Sequence, residues 1–141
     1  MLSHNEVFPW DKPPRVRGAP RSTQPVEFVL DSTKQLIVVR FAGKVTAEHI
    51  GQYVKQLVAH PSFRPNFSEI VDLSAVEELD LQADDLLRLA DEIDPFLHDA
   101  KRAFVVQNSV QNHAARMHKA LLNRKIGIFR SLEDAERWIS G

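Results

Sequence analysis

The sequence predicts an α/β domain built on a mixed, mainly parallel five-stranded sheet with about four helices. Short runs of β-branched and aromatic residues alternate with segments of helical periodicity. The first two runs flank the polar tetrapeptide Asp31-Ser32-Thr33-Lys34, which predicts an N-terminal hairpin. Every later connection passes through a helical segment, so the remaining strands should pair in parallel with right-handed crossovers.

The hairpin strands are predicted at 26–30 and 35–42. The second strand is apolar from Leu36 to Val39, which indicates burial on both faces of the sheet. Thr46 is a suitable N-cap for a first helix, whose apolar residues follow i, i+3, i+4 spacing until Pro61.

The second half of the domain continues the same alternation. Further strands are predicted at 69–73, 103–107 and 126–130. The second helix has an apolar face, and Pro95 should end or kink it; the face comprises Leu86, Leu89, Ala90 and Ile93. Ser109 can cap a third helix and Ser131 a short final one, which gives the order β, β, α, β, α, β, α, β, α.

The composition indicates one ordinary globular domain preceded by an arm. A chain of 141 residues with 43% hydrophobic and 26% charged residues suits a single core, assigned here to 26–141. Residues 1–25 hold five of the eight prolines and a net charge of +2, which predicts a basic, extended arm. The arm either stays unattached or docks its apolar side chains on the domain or a second subunit; these are Val7, Phe8 and Trp10.

Several functional classes are not expected from the composition. The chain has no cysteine, which excludes thiolate chemistry and agrees with a reducing compartment. Its formal net charge of −1 gives no reason to expect nucleic-acid binding. No apolar run approaches the roughly 18 residues of a membrane span, and no signal peptide is present, so a cytoplasmic location is expected. His113 and His118 lack metal-ligand spacing and no glycine-rich phosphate loop occurs, so neither a metal nor a cofactor is expected.

The segment 69–83, EIVDLSAVEELDLQA, resembles the strand-to-helix region of the SpoIIAA-like group. This group includes anti-sigma-factor antagonist (STAS) domains and related Sec14-like bacterial proteins. The element order agrees, and similar features extend over 26–139. They include a turn, Phe-Ala-Gly-Lys-Val at 41–45, the loop Phe63-Arg-Pro-Asn-Phe and Ala115-Arg-Met. The resemblance implies a SpoIIAA-like fold and a non-enzymatic, cytoplasmic signalling or protein-interaction module.

One departure from the family pattern concerns phosphorylation. In switch-type STAS domains, an Asp at the start of the second helix is followed by two serines and a glycine, and a partner kinase phosphorylates one serine. The matching Asp80 is followed here by Leu81, Gln82 and Ala83. Leucine and glutamine cannot accept a phosphate, which puts the kinase-operated switch in doubt. Ser74 is the nearest preceding hydroxyl and is expected to be a turn residue.

The charges of the core are segregated along the sequence. Residues 77–99 hold nine acidic residues and one basic residue, whereas 100–130 hold seven basic residues and no acidic one. This layout either steers a charged protein partner, with a second copy in a homodimer as one candidate, or simply keeps the domain soluble. The predicted partner-binding residues are Asp80, Leu81, Gln82, Asp84 and Asp85.

A small-ligand site is a second hypothesis, since ligands of open α/β sheets bind beyond the carboxyl ends of the strands. The residues predicted there are Asp72, Ser74, Gln107, Asn108, Ser109 and Arg130, although a turn and helix caps would explain the same residues. A Sec14-like lipid or small-ligand carrier is the alternative function, and it needs a pocket of about 300 to 1,000 Å³. An enzyme would need a buried titratable pair, such as Asp72 with His113.

Overall fold

A computed structural model describes residues 25–82, 84–85, 95–97, 99–109, 111–113, 115–116 and 125–141. Two helices in this part of the chain have defined bounds, α1 at Ala47–Ala59 and α2 at Leu132–Ser140. The strands form one sheet in the order of the sequence: β1 (Val26–Asp31), β2 (Leu36–Thr46), β3 (Ser68–Asp80), β4 (Arg102–Val105) and β5 (Ile126–Phe129).

The predicted five-stranded sheet with an N-terminal hairpin is confirmed. β1 pairs with β2 in antiparallel orientation, while β2 with β3, β3 with β4 and β4 with β5 are parallel. The sheet is therefore mixed, and the description "mainly parallel" applies only to the strands β2 to β5, which are joined by crossovers.

The prediction of about four helices is too high for the described residues. These contain α1, α2 and a third helical segment that includes Ser109, 111–113 and 115–116. Asp84 and Asp85 are also helical, but the predicted apolar face of the second helix lies outside the described residues. None of the helices that the structure describes is long and apolar enough to cross a membrane.

The sheet separates two apolar layers. Alternate residues of β2 point to opposite faces, and all four residues from Leu36 to Val39 are at most 5% exposed, as predicted. Ile37 and Val39 pack in one layer with Tyr53 and Leu57 of α1. The other layer contains Leu36 and Val38 and is closed by Ala135, Trp138 and other apolar residues of α2.

Both bounded helices begin at the predicted caps. The Thr46 hydroxyl accepts a hydrogen bond from His49 N at 3.3 Å, and His49 Nδ1 accepts one from Thr46 N at 3.1 Å, which forms a capping box. Ser131 Oγ accepts from Asp134 N at 3.1 Å at the start of α2. At the other end of α2, the Lys101 ammonium donates to the Trp138 carbonyl at 3.2 Å. A cation there also interacts favourably with the helix dipole.

β2 and β3 are longer than the sequence pattern predicts. The 11 residues of β2 lie opposite the 13 of β3, with register shifts between Arg40 and Ala42 and between Gly43 and Lys44. Each shift places one additional residue of β3 opposite β2, as in a β-bulge. The motif at 41–45 is therefore strand rather than turn, and Ser74 lies in β3 rather than in a turn.

β4 pairs only with residues 69–72 of β3. Beyond this point β2 and β3 continue as a pair, which we call the ribbon, residues 41–46 and 73–80. At the far end of the ribbon, β2 leads into α1 and β3 ends at Asp80, which lies opposite Thr46.

A buried ion pair connects the two central parallel strands. Glu69 of β3 lies beside Arg102 of β4, and their Oε1 and Nε atoms are 2.7 Å apart. The Tyr53 hydroxyl of α1 donates to Glu69 Oε2 at 2.5 Å, and the Arg102 guanidinium lies 4.9 Å from the centre of the Phe96 ring. Since Glu69 is 3% and Arg102 9% exposed, both charges depend on these partners.

The substitution Glu69→Gln should lower the free energy of unfolding by about 3 to 5 kcal/mol, because it removes the carboxylate 2.7 Å from the buried Arg102 guanidinium. Urea denaturation followed by circular dichroism measures this loss. Tyr53→Phe, which removes one donor and keeps both charges, should cost only about 1 kcal/mol. Equal losses in the two variants would contradict the assigned role of the ion pair.

Two glycines provide a matched test of the backbone. Gly43 has a φ of +68° within β2, and Gly51 lies in α1, yet a Cβ at either position would meet no atom within 4 Å. Gly43→Ala should therefore lower the unfolding free energy by about 1 to 2 kcal/mol through backbone strain alone. Gly51→Ala should raise it by up to about 1 kcal/mol through helix propensity. Thermal unfolding distinguishes the opposite signs, and a stabilising Gly43→Ala would show that the left-handed conformation is absent in solution.

Candidate functional site

The predicted ligand-binding residues lie near the carboxyl ends of β4 and β5, beside the point in the middle of β3 where its pairing with β4 stops. Asp72, Val105 and Phe129 are aligned across β3, β4 and β5. Arg130 directly follows Phe129, and Gln107 lies two residues after Val105. The Gln107 side-chain amide donates to the Arg130 carbonyl at 3.4 Å, which joins the two strand ends. The structure thus brings these predicted residues together where β4 and β5 end.

A buried glutamine that was not predicted from the sequence links the elements at these strand ends. Gln111 is 2% exposed, and its Oε1 accepts from Gln107 N at 2.8 Å. Its Nε2 donates to the carbonyl of Val76 in the ribbon at 2.9 Å. The side chain therefore joins the third helical segment, the end of β4 and the ribbon through satisfied hydrogen bonds.

Ser109 was predicted to cap the third helical segment, but the cap is Asn108. Asn108 Oδ1 accepts from Gln111 N at 2.9 Å, while Ser109 is already helical and exposed. Asparagine is a strong N-cap, and a glutamine three residues later matches the sequence pattern of a capping box. This spacing is the signal that could have identified both residues from the sequence. The Gln111 side chain accepts from Gln107 N, however, and not from the N-cap Asn108 N as in a true capping box.

Most polar groups at these strand ends form hydrogen bonds within the domain. Asp72 Oδ1 accepts from Ser74 N at 2.9 Å, beside the first register shift of β3. Asn108 and Gln111 are committed to the bonds described above. Four of the predicted residues, Ser74, Gln107, Ser109 and Arg130, are exposed.

The structure does not bring together Asp72 and His113, the titratable pair considered in the sequence analysis. Asp72 is half-buried and bonded to Ser74, whereas His113 is exposed, and no contact joins Asp72 to His113. Among the residues with described positions, no group of three or more histidine and carboxylate side chains is placed to hold a metal ion.

The predicted partner-binding residues lie at the end of the ribbon. Asp80 ends β3 opposite Thr46, the N-cap of α1, and its carboxylate is 3.8 Å from the Lys44 ammonium. Leu81 is half-buried, while Gln82 and Asp84 are exposed.

Asp85 also has a structural role, because its Oδ2 accepts from Gln82 N at 2.9 Å. Exposed Glu77 and Glu78 precede Asp80 on β3. We call the resulting surface the acidic tip: Glu77, Glu78, Asp80, Asp84 and Asp85.

A small pocket lies on another part of the surface, between α1 and the start of β1. Its volume is about 180 Å³, and it is lined by Pro25, Val26, His49, Gln52, Tyr53 and Gln56. This is below the roughly 300 Å³ at which pockets for drug-sized ligands begin. Its lining includes an imidazole and two amides, which do not suit an acyl chain.

Comparisons with known proteins give a structural likeness only. No protein-family model matches the chain, and no curated protein is similar to it in sequence. An uncharacterised protein of the DUF3478 family from Shewanella loihica, described as having a SpoIIAA-like fold, superposes with a TM-score of 0.58 at 19% sequence identity. The match covers 86% of this chain and 99% of that one. The likeness confirms the fold implied by the sequence resemblance: this chain is a SpoIIAA-like domain in its fold.

Proposed function

We propose that this chain is a non-enzymatic, cytoplasmic protein-interaction module of STAS type, and that its acidic tip is the contact surface. The observation that supports this function is the presence of five carboxylates within the nine residues from Glu77 to Asp85, at the end of the ribbon. Four of them are exposed: Glu77, Glu78, Asp80 and Asp84. The SpoIIAA-like fold is compatible with this role.

The electrostatics of the acidic tip favour a basic protein surface as partner. Lys44 lies near Asp80, but both side chains are at least half exposed, so this contact contributes little to stability. Closely spaced carboxylates on a protruding element raise the association rate of a positively charged partner and disfavour acidic ones. The surface therefore provides selectivity and fast encounter without a deep pocket.

The proposed module works without a phosphorylated serine after Asp80. Leu81 and Gln82 occupy the positions where the switch-type pattern has serines, and Leu81 is half-buried. Ser74 is an exposed hydroxyl on the ribbon, six residues before Asp80. We therefore propose that association depends on the permanent charge of the acidic tip rather than on a phosphate added there.

A small-ligand or Sec14-like carrier is the competing function. The pocket beside α1 supports it weakly, because its volume of about 180 Å³ is too small for a lipid. Native mass spectrometry distinguishes the two functions, because a carrier would retain a mass of a few hundred daltons that is lost on denaturation.

The double substitution Glu78→Lys and Asp84→Lys tests the contact surface without removing the Gln82–Asp85 hydrogen bond. Affinity capture from an extract of the native cells, quantified by mass spectrometry, should lose the bound partner by about fivefold or more, equivalent to about 1 kcal/mol. The matched control is Asp99→Lys, an exposed reversal near the start of β4, at the opposite end of the sheet.

The control chain should retain its partner fully. A partner that binds the double variant and the natural chain equally would exclude the acidic tip as the contact surface. Self-association of the same three chains, measured by sedimentation velocity, determines whether that partner is a second copy.

A further inference from the structure

We propose that the free edge of β3 at the acidic tip binds the chain's own N-terminal arm, through the basic segment 12–21. The arm would then occupy in cis the surface to which the external partner binds. The regulatory meaning of this contact rests on the proposed function, whereas the contact itself does not.

The first argument is the edge of the ribbon with which no described strand pairs. On the side of β3 that faces β4, strand pairing ends at Asp72, and Gln111 occupies the carbonyl of Val76. Among the strands that the structure describes, none pairs with residues 77–80 on this side. A strand edge of this kind is a template for an extended segment.

The second argument is the match in charge and spacing. Residues 12–21 contain four basic residues and no acidic residue. Arg15 and Arg17 lie in the proline-free run between Pro14 and Pro20, and side chains two apart on an extended chain point the same way at a spacing of about 6.6 Å. Glu78 and Asp80 of β3 have the same relative positions and spacing, since the register from 78 to 80 is regular.

The third argument is the point at which the arm joins the domain. The Pro25 carbonyl accepts a hydrogen bond from Ala42 N at 3.0 Å, so the arm meets the domain at the base of the ribbon. A strand added beyond β3 would lie about three strand spacings from β1, or about 14 Å. The eight Cα-to-Cα steps from Arg17 to Pro25 span up to about 26 Å when extended, which is sufficient.

The pocket beside α1 is the competing position for the arm, because Pro25 and Val26 form part of its wall. Its remaining lining offers a phenol, an imidazole and two amides, and therefore no carboxylate for the four basic side chains. The charge of segment 12–21 favours the acidic tip over this pocket.

Paramagnetic relaxation in the full chain tests the contact directly. Because the chain has no cysteine, Val16→Cys provides a unique site for a nitroxide label. The amide signals of 77–80 should lose most of their intensity and recover when the nitroxide is reduced. The matched control carries the same label with Lys12, Arg15, Arg17 and Arg21 changed to Gln, and should lose no intensity at these residues.

Two outcomes would overturn the inference. Broadening centred on His49, Gln52 and Gln56 would place the arm in the pocket, and the absence of localised broadening would exclude docking on the domain. A mixture of nitroxide-labelled chain with isotope-labelled, nitroxide-free chain must show no broadening at 77–80, because broadening there would assign the contact to a second copy.

The regulatory consequence has a separate readout. In the affinity capture described above, the arm with four glutamines should bind at least about twofold more partner, because an intramolecular competitor is removed. If capture does not depend on the acidic tip but the broadening occurs there, the proposed function fails and the arm contact stands. If capture depends on the tip but the broadening lies elsewhere, the arm inference fails alone.

Discussion

The parallel pairing of β2 with β3 is the constraint on which the rest of the structure depends. β1 adds to the free side of β2, and β4 adds to the other side of β3. Helix α1 starts where β2 ends, and the acidic tip starts where β3 ends. Two register shifts let the longer strand remain paired up to Asp80, so the bulges determine how far the candidate surface extends beyond the sheet.

The buried Glu69–Arg102 ion pair fixes the register of β4 on β3. Arg102 begins β4, Glu69 is the second residue of β3, and the phenol of Tyr53 reaches the same carboxylate from α1. A shift of one residue between β3 and β4 would separate two buried charges, which is far more costly than the loss of one apolar contact. The interaction therefore specifies register more than it adds stability, and in doing so it determines which residues of β3 lie beyond the end of β4.

The fold could be predicted from local signals, and the candidate site only in part. The apolar run at Leu36 identifies a strand buried on both faces, and Thr46 and Ser131 are caps because their side chains bond to nearby backbone. The ribbon was missed because bulges break the twofold alternation that identifies a strand. The role of Gln111 was missed because its partner, the Val76 carbonyl, is 35 residues away in sequence.

The order of the strands has a consequence for how the chain folds. Each strand pairs only with its neighbours in sequence, from β1 to β5. During synthesis, each new strand therefore finds its partner already made, and no strand must wait for one that emerges later. The layer under α2 is the exception, because Ala135 and Trp138 close it last. A nascent chain that has not yet released α2 would expose this apolar layer, and that is the stage at which chaperones would be needed most.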